Sequence, residues 1–67
     1  MMNININGEG KELLGQFNLL ELLKHLSLPT ERVAIELNKE VVRRKDWENT
    51  KISNGDKLEV VHFVGGG

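Results

Sequence analysis

The sequence contains no cysteine and only one proline. Without cysteine, the chain cannot form a disulfide, offer a thiolate to a metal ion or attack a substrate through a thiol. Nothing in the composition indicates an oxidising compartment. Disulfide-stabilised secreted domains and thiol enzymes are therefore excluded.

A strong excess of charge and a long apolar run are also missing. Nine Lys and Arg residues stand against ten Asp and Glu residues, so the formal net charge of -1 excludes a strongly basic nucleic-acid binder. No apolar stretch approaches the ~20 residues of a membrane helix, and the N-terminus lacks a signal-peptide pattern. We expect a cytoplasmic protein with neither a nucleic acid nor a membrane as partner.

The length of the chain limits what it can hold. With 67 residues it is too short for two ordinary domains, and its 39% hydrophobic content is too high for a disordered chain. A core of this size leaves little stability for a deep catalytic cavity, so a self-sufficient enzyme is not expected. We predict one domain over residues 1–63 and a flexible glycine-rich tail over residues 64–67.

Hydrophobic periodicity predicts the first half of this domain. In residues 2–7 apolar and polar side chains alternate, as in a half-buried strand. Residues 7–10 are of types that favour turns, which allows a return strand over residues 11–14. Asn18 and Glu21 have the spacing of a capping box, which predicts the start of a helix. Leucines at helical spacing then form one apolar stripe, and Pro29 requires the helix to end near residues 25–28.

The second half reads as a hairpin, a connection and a last strand. The pattern of residues 33–37 and 41–42 predicts two strands joined by a turn at Asn38-Lys39. Residues 43–49 are polar except for Trp47, whose ring we expect to cover the core. Residues 58–63 alternate again after a turn at 54–56. This order predicts an α+β fold of the β-grasp type, in which a mixed sheet of four or five strands packs on one main helix.

Few residues in this pattern have the spacing of a catalytic or metal site. His25 and His62 fall on different elements, and the acidic residues are scattered. Gly8-Glu9-Gly10 lacks the third glycine of a phosphate loop and fits a hairpin turn. The basic triplet 43–45 is followed by acidic residues and fits an exposed turn or a docking surface for a partner. Neither a metal nor a cofactor is predicted.

The terminal glycines are the one feature that folding does not require. If extended, residues 64–67 would reach ~13 Å beyond the sheet, and glycine could pass through a channel too narrow for other residues. A C-terminal carboxylate at Gly67 is ionised and a weak electrophile, so it must be activated, for example as an acyl-adenylate formed with ATP. Because the chain lacks cysteine, any sulfur that it carries would replace an oxygen of that carboxylate.

The last strand also suggests a docking surface. Leu58 and Val60 should face the helix, which leaves Val61 and Phe63 on the opposite face beside the tail. Exposed apolar side chains at a functional end indicate a contact surface for another protein. Arg44, within the basic triplet, is the third docking candidate.

Several short runs occur together in an order that resembles one family. They are Asn5–Glu9, Ile35–Asn38, Val41, Val42, Arg44, Trp47, Asn54–Asp56, Leu58–Val61 and Val64–Gly67. Over nearly the whole chain this set resembles the ThiS family, the sulfur carriers of thiamin biosynthesis with a ubiquitin-like β-grasp fold. Arg43 stands where many members have proline, which affects a local turn and not the tail.

This resemblance implies a set of roles and partners. Gly67 would be adenylated by a ThiF-type adenylyltransferase with ATP and converted to a thiocarboxylate, while Val64, Gly65 and Gly66 thread into the partner's active site. A cysteine desulfurase or a persulfide relay protein would provide the sulfur, and thiazole synthase would receive it. The carrier itself would be a co-substrate and not a catalyst.

Two alternatives stay open. The small subunit of molybdopterin synthase has the same fold and Gly-Gly end, but its members are commonly longer and have a proline-bearing aromatic segment before Ala-Gly-Gly, unlike Val-His-Phe-Val-Gly-Gly-Gly. The other alternative is a β-grasp interaction module or protein modifier whose tail binds without covalent change or forms an amide with a lysine.

Overall fold

The computed structural model, which describes residues 1–63, contains two pairs of consecutive strands, each followed by a short helix, and a final strand. In chain order they are β1 Met2–Ile6, β2 Glu9–Leu13, α1 Leu19–His25, β3 Val33–Leu37, β4 Glu40–Val42, a 3-10 helix Arg44–Asn49 and β5 Lys57–His62. The order agrees with the sequence analysis and confirms the α+β class. The connection at residues 43–49 is helical, and β5 begins one residue before its predicted start.

The five strands form a single mixed sheet in the order β2-β1-β5-β3-β4. β5 lies in the centre, parallel to β1 and antiparallel to β3, while the two hairpins β1-β2 and β3-β4 occupy the sides. The last strand is therefore inserted between the two hairpins. β5 therefore ends in the middle of the sheet and not at its edge.

Both hairpins close through two-residue turns with left-handed backbone angles. Ile6 pairs with Glu9 around Asn7 (φ 50°) and Gly8 (φ 87°). The prediction that β2 starts at Lys11 is therefore wrong. Asn7 and Gly8 by themselves supply both positive φ angles that the turn needs, so the strand resumes directly after them. In the second hairpin the turn lies at Asn38 and Lys39, as predicted.

Helix α1 begins as the capping box predicts. The Glu21 N–H donates to Asn18 Oδ1 at 2.7 Å, and the Asn18 N–H donates to Glu21 Oε1 at 2.9 Å. These bonds satisfy main-chain donors that the first turn of a helix leaves without partners. The helix ends at His25, within the predicted limit set by Pro29.

The core lies between this helix and one face of the sheet. Trp47 belongs to it and is only 2% exposed, in agreement with the prediction that its ring covers the core. The other buried apolar residues are Met2, Ile4, Ile6, Leu13, Leu19, Leu22, Leu23, Val33, Ile35, Ile52 and Leu58. No helix within residues 1–63 has the length and apolar character needed to cross a membrane.

Candidate docking surface and tail exit

The end of β5 carries the predicted alternation of buried and exposed side chains. Leu58 is buried and Val60 packs against the core, whereas Val61 and Phe63 are 48% and 55% exposed. Because successive side chains of a strand point to opposite faces, Val61 and Phe63 lie on the face away from α1. The predicted exposure of both residues is confirmed, while their role in docking stays a prediction.

Other apolar residues lie on the same outer face. Ala34 pairs directly with Val61 across β3 and β5, and Val41 of β4 is 68% exposed. Val41 pairs with Glu36, which shares the outer face with Ala34. We call Ala34, Val41, Val61 and Phe63 the outer patch. Its apolar side chains extend from the end of β5 towards β4, and Glu36 and Glu59 form a directly opposed acidic pair next to it.

Arg44 is held in place beside the same end of the sheet. Its guanidinium donates a hydrogen bond to the Thr30 carbonyl oxygen and lies over the Trp47 ring, 5.1 Å from the ring centroid. A planar cation at this distance from an indole is a favourable cation–π arrangement. The side chain predicted for docking therefore also ties the 3-10 helix to the loop before β3.

That loop joins two of the predicted docking residues. The Phe63 N–H donates to the Arg32 carbonyl oxygen at 2.7 Å, two residues along the chain from the carbonyl that Arg44 binds. Arg32 has a φ of 58°, an uncommon conformation for a side chain of this size. Arg44 and Phe63 are thus brought to one loop, which the sequence analysis did not foresee because no local pattern marks residues 30–32 as a support for β5.

Asn7 is a second residue that the sequence analysis assigned only to a turn. Its side-chain oxygen accepts from the Val60 N–H at 2.8 Å, and its side-chain nitrogen donates to the Val60 carbonyl oxygen at 3.4 Å. The Asn-Gly pair identified the turn, but a contact over 53 positions has no signal in the local sequence.

The described surface has two depressions, and neither is accompanied by a cluster of metal-binding side chains. One depression of about 290 Å³ is lined by residues of the second hairpin and β5, and another of about 200 Å³ lies between Asn7 and Leu28. Within residues 1–63, no group of three or more His, Cys, Asp or Glu side chains could hold a metal ion. His25 instead contacts Phe17, with ring centroids 4.8 Å apart.

The predicted tail residues Val64, Gly65, Gly66 and Gly67 lie outside the described residues. Phe63, the last described residue, is held by Arg32 on the β3 side of the sheet.

Comparison with solved structures supports the fold. The chain matches the crystal structure of the thiamine biosynthesis protein ThiS from Geobacter metallireducens with a TM-score of 0.88 and 38% identity, covering 98% of this chain and 100% of that one. This match confirms the ubiquitin-like β-grasp fold.

Sequence comparisons point the same way. The chain is 36% identical over 47 residues to the sulfur carrier protein ThiS of Bacillus subtilis, covering 70% of this chain and 71% of that protein. It is also 36% identical over 66 residues to a thiazole synthase of Paramagnetospirillum magneticum, where it covers 98% of this chain but only 20% of the relative's length. A model of the ThiS family matches residues 4–67. The chain therefore belongs to the ThiS family of sulfur carrier proteins.

Proposed function

We propose that this protein carries sulfur for thiazole formation in thiamin biosynthesis as a thiocarboxylate on Gly67. The observation that carries the proposal is that the family match runs through the terminal glycines to residue 67 in a chain without cysteine. The chain has no thiol on which a sulfur atom could travel. The carboxyl group of Gly67 is the remaining position that the family resemblance assigns to the sulfur.

The chemistry requires activation by a partner. A carboxylate is a weak electrophile, and transfer of AMP from ATP converts it to an acyl-adenylate with release of pyrophosphate. The outer sulfur of a persulfide then forms a bond to the carbonyl carbon, and AMP leaves with the bonding electrons of the carbon–oxygen bond. A second thiol reduces the resulting acyl disulfide, which releases the thiocarboxylate and leaves a disulfide between that thiol and the donor cysteine; free sulfide would displace AMP directly. The product is a thiocarboxylate. In this scheme the protein is a co-substrate of its partner enzymes and not itself a catalyst.

We assign the activating step to a ThiF-type adenylyltransferase and the sulfur supply to a cysteine desulfurase or persulfide relay protein. Thiazole synthase is the proposed acceptor, and one observation supports this choice. A protein named thiazole synthase contains a region that is similar to 98% of this chain. That region makes up only 20% of the length of the thiazole synthase polypeptide. A carrier-like segment and the rest of a thiazole synthase thus occur in one chain, where they would meet without diffusion.

The outer patch is the proposed contact with the adenylyltransferase. Val61 and Phe63 are exposed apolar side chains at the point where the chain leaves the sheet, and an enzyme that closes over residues 64–67 must approach this point. Interfaces concentrate their binding energy in a few such central side chains. Arg44, fixed by Thr30 and Trp47, adds a preorganised positive charge beside them.

The test is the intact mass of the purified protein after incubation with ATP, a sulfide source and an extract of its own cell type. The same spectrum checks that Gly67 is the last residue of the mature chain. The expected result is a mass gain equal to the exchange of one oxygen for one sulfur, located at Gly67 and absent without ATP. Gly67→Ala and a variant truncated before Gly66 serve as controls.

Other outcomes would contradict the proposal. An unchanged mass, in an extract that modifies a known carrier, would favour a non-covalent interaction module. A conjugate linked through Gly67 to a lysine would instead identify a protein modifier. A thiocarboxylate that forms but transfers sulfur to a molybdopterin precursor, and not to thiazole synthase, would support the molybdopterin alternative.

A further inference from the structure

Asn7 extends the pairing between β1 and β5 beyond the point where β1 ends. The last main-chain bond of this pair runs from the Asn7 N–H to the Leu58 carbonyl oxygen at 2.9 Å. The backbone then turns away at Gly8 into the hairpin. The Asn7 side chain, however, continues to Val60, where the amide accepts from the N–H and donates to the carbonyl as a neighbouring strand would.

These are the last hydrogen bonds on the β1 side of β5 within residues 1–63. In an antiparallel pair the main-chain groups of successive residues point alternately to either neighbour. Phe63 donates towards β3, through Arg32, so the main-chain groups of Val60 and His62 point towards β1. No partner for the His62 groups on that side occurs within residues 1–63. The support of β5 on the β1 side therefore ends at Val60.

The chain approaching Val64 is thus held by two residues on opposite sides. Arg32 holds Phe63 on the β3 side through a main-chain carbonyl, and Asn7 holds Val60 on the β1 side through its amide. A strand bonded on one side only can twist and bend about that side more freely. Removal of the Asn7 amide would leave the end of β5 with its β3 contacts alone.

We propose that Asn7 is a positioning residue that sets the direction in which the chain leaves β5 towards Gly67. This inference rests on the proposed function, because a preset direction matters only if the glycines must enter a partner's active site. A partner that binds an already oriented segment avoids part of the entropy cost of ordering it. Loss of the amide should therefore weaken productive binding and leave the chemical step on the seated tail unchanged.

The chain offers a matched control at the other end of β5. Asn38 is the first residue of the second hairpin turn, with a φ of 52° against 50° for Asn7. Its side-chain oxygen accepts from the Lys57 N–H at 2.9 Å, and its nitrogen donates to Asp56 Oδ1 at 3.0 Å. Both asparagines thus bind β5 from a hairpin turn, but Asn38 binds at the beginning of the strand and Asn7 near its end.

The experiment compares Asn7→Gly with Asn38→Gly. Glycine tolerates the left-handed angle at both positions, so each substitution removes an amide without straining the turn. Adenylation is followed as ATP–pyrophosphate exchange by a ThiF-type adenylyltransferase over a range of carrier concentrations. Amide hydrogen exchange at Val60 and His62 is measured on the carrier alone.

With one hydrogen-bonded support lost, Asn7→Gly should raise KM for the carrier roughly 3- to 10-fold with kcat within about twofold of the parent protein. Exchange at Val60 should become faster in the same variant. Asn38→Gly should change KM by less than about twofold even where its stability falls equally. Asn7→Asp keeps the oxygen that accepts from Val60, so its KM should lie between those of the parent and Asn7→Gly.

Equal KM values for the two glycine variants would overturn the inference, and so would a lower kcat at unchanged KM or unaltered exchange at Val60. If Asn7→Gly fails to fold, Asn7→Asp decides the question by the same two measurements. Absence of ATP–pyrophosphate exchange with the parent protein would contradict the proposed function instead. In that case hydrogen exchange at Val60 still shows whether Asn7 restrains the end of β5.

Discussion

The indole nitrogen of Trp47 donates a hydrogen bond to the main-chain carbonyl oxygen of Val42 at 3.0 Å. This bond joins the 3-10 helix to the end of β4, while the ring of the same residue is almost fully buried. Buried indoles generally need a partner for their N–H group, and here β4 supplies it. Trp47 therefore contributes both apolar packing and a polar link between two elements.

Trp47→Phe should lower the free energy of unfolding by about 1 to 3 kcal/mol, because it leaves the Val42 carbonyl without its donor and opens a space in the core. Urea unfolding followed by circular dichroism measures this change without the tryptophan signal. Phe63→Leu is the control, since it alters an exposed aromatic ring and should shift stability by no more than about 0.5 kcal/mol. Equal effects of the two substitutions would show that the Trp47 contacts contribute little.

Arg44→Lys separates a structural role from a docking role. Lysine keeps the positive charge but not the planar group that bonds Thr30 while lying over Trp47. We expect a loss of about 1 kcal/mol in stability because both contacts weaken. The neighbouring Arg43→Lys, at a position without a side-chain bond to the helix start, should have almost no effect. A large fall in adenylation at unchanged stability would instead show that partner contact depends on the guanidinium itself.

Lys39→Gly should stabilise the protein by about 1 kcal/mol. Lys39 has a φ of 73° in the second position of a two-residue hairpin turn, where a side chain is disfavoured and glycine is not. The first hairpin already has glycine at the equivalent position, and Gly8→Ala should destabilise by a similar ~1 kcal/mol. Thermal and urea unfolding measure both changes. A destabilised Lys39→Gly variant would indicate that the lysine side chain contributes contacts that outweigh its backbone strain.

The elements with strong local patterns were predictable, and the contacts between distant elements were not. Asn18 and Glu21 lie three positions apart, so their sequence spacing alone identifies the helix start. The exposure of Val61 follows from the alternation of side chains between the two faces of a strand. The same rules could not choose between turns of two and four residues near Gly8, because asparagine and glycine both permit either one.

The supports of the tail exit belong to the class that sequence patterns miss. Asn7 contacts Val60 only because β5 is inserted beside β1, and this pairing spans 53 positions. Arg32 adopts a left-handed angle without being a residue type that favours it. Tertiary contacts impose both features. The docking candidates could be selected from the sequence, but the loop that connects Arg44 with Phe63 required the structure.

Phe63→Asp tests the outer patch as the contact for the adenylyltransferase. A charge at this position disrupts an apolar contact with a partner, so adenylation at low carrier concentration should fall at least about tenfold, the effect of removing a central interface residue. Stability should change by no more than about 0.5 kcal/mol because the side chain is exposed. Leu14→Asp is the matched control, since Leu14 is 77% exposed but lies beyond β2, away from the end of β5. It should leave adenylation within about twofold of the parent value. Equal losses in the two variants would show that general surface apolarity, and not the outer patch, governs activation.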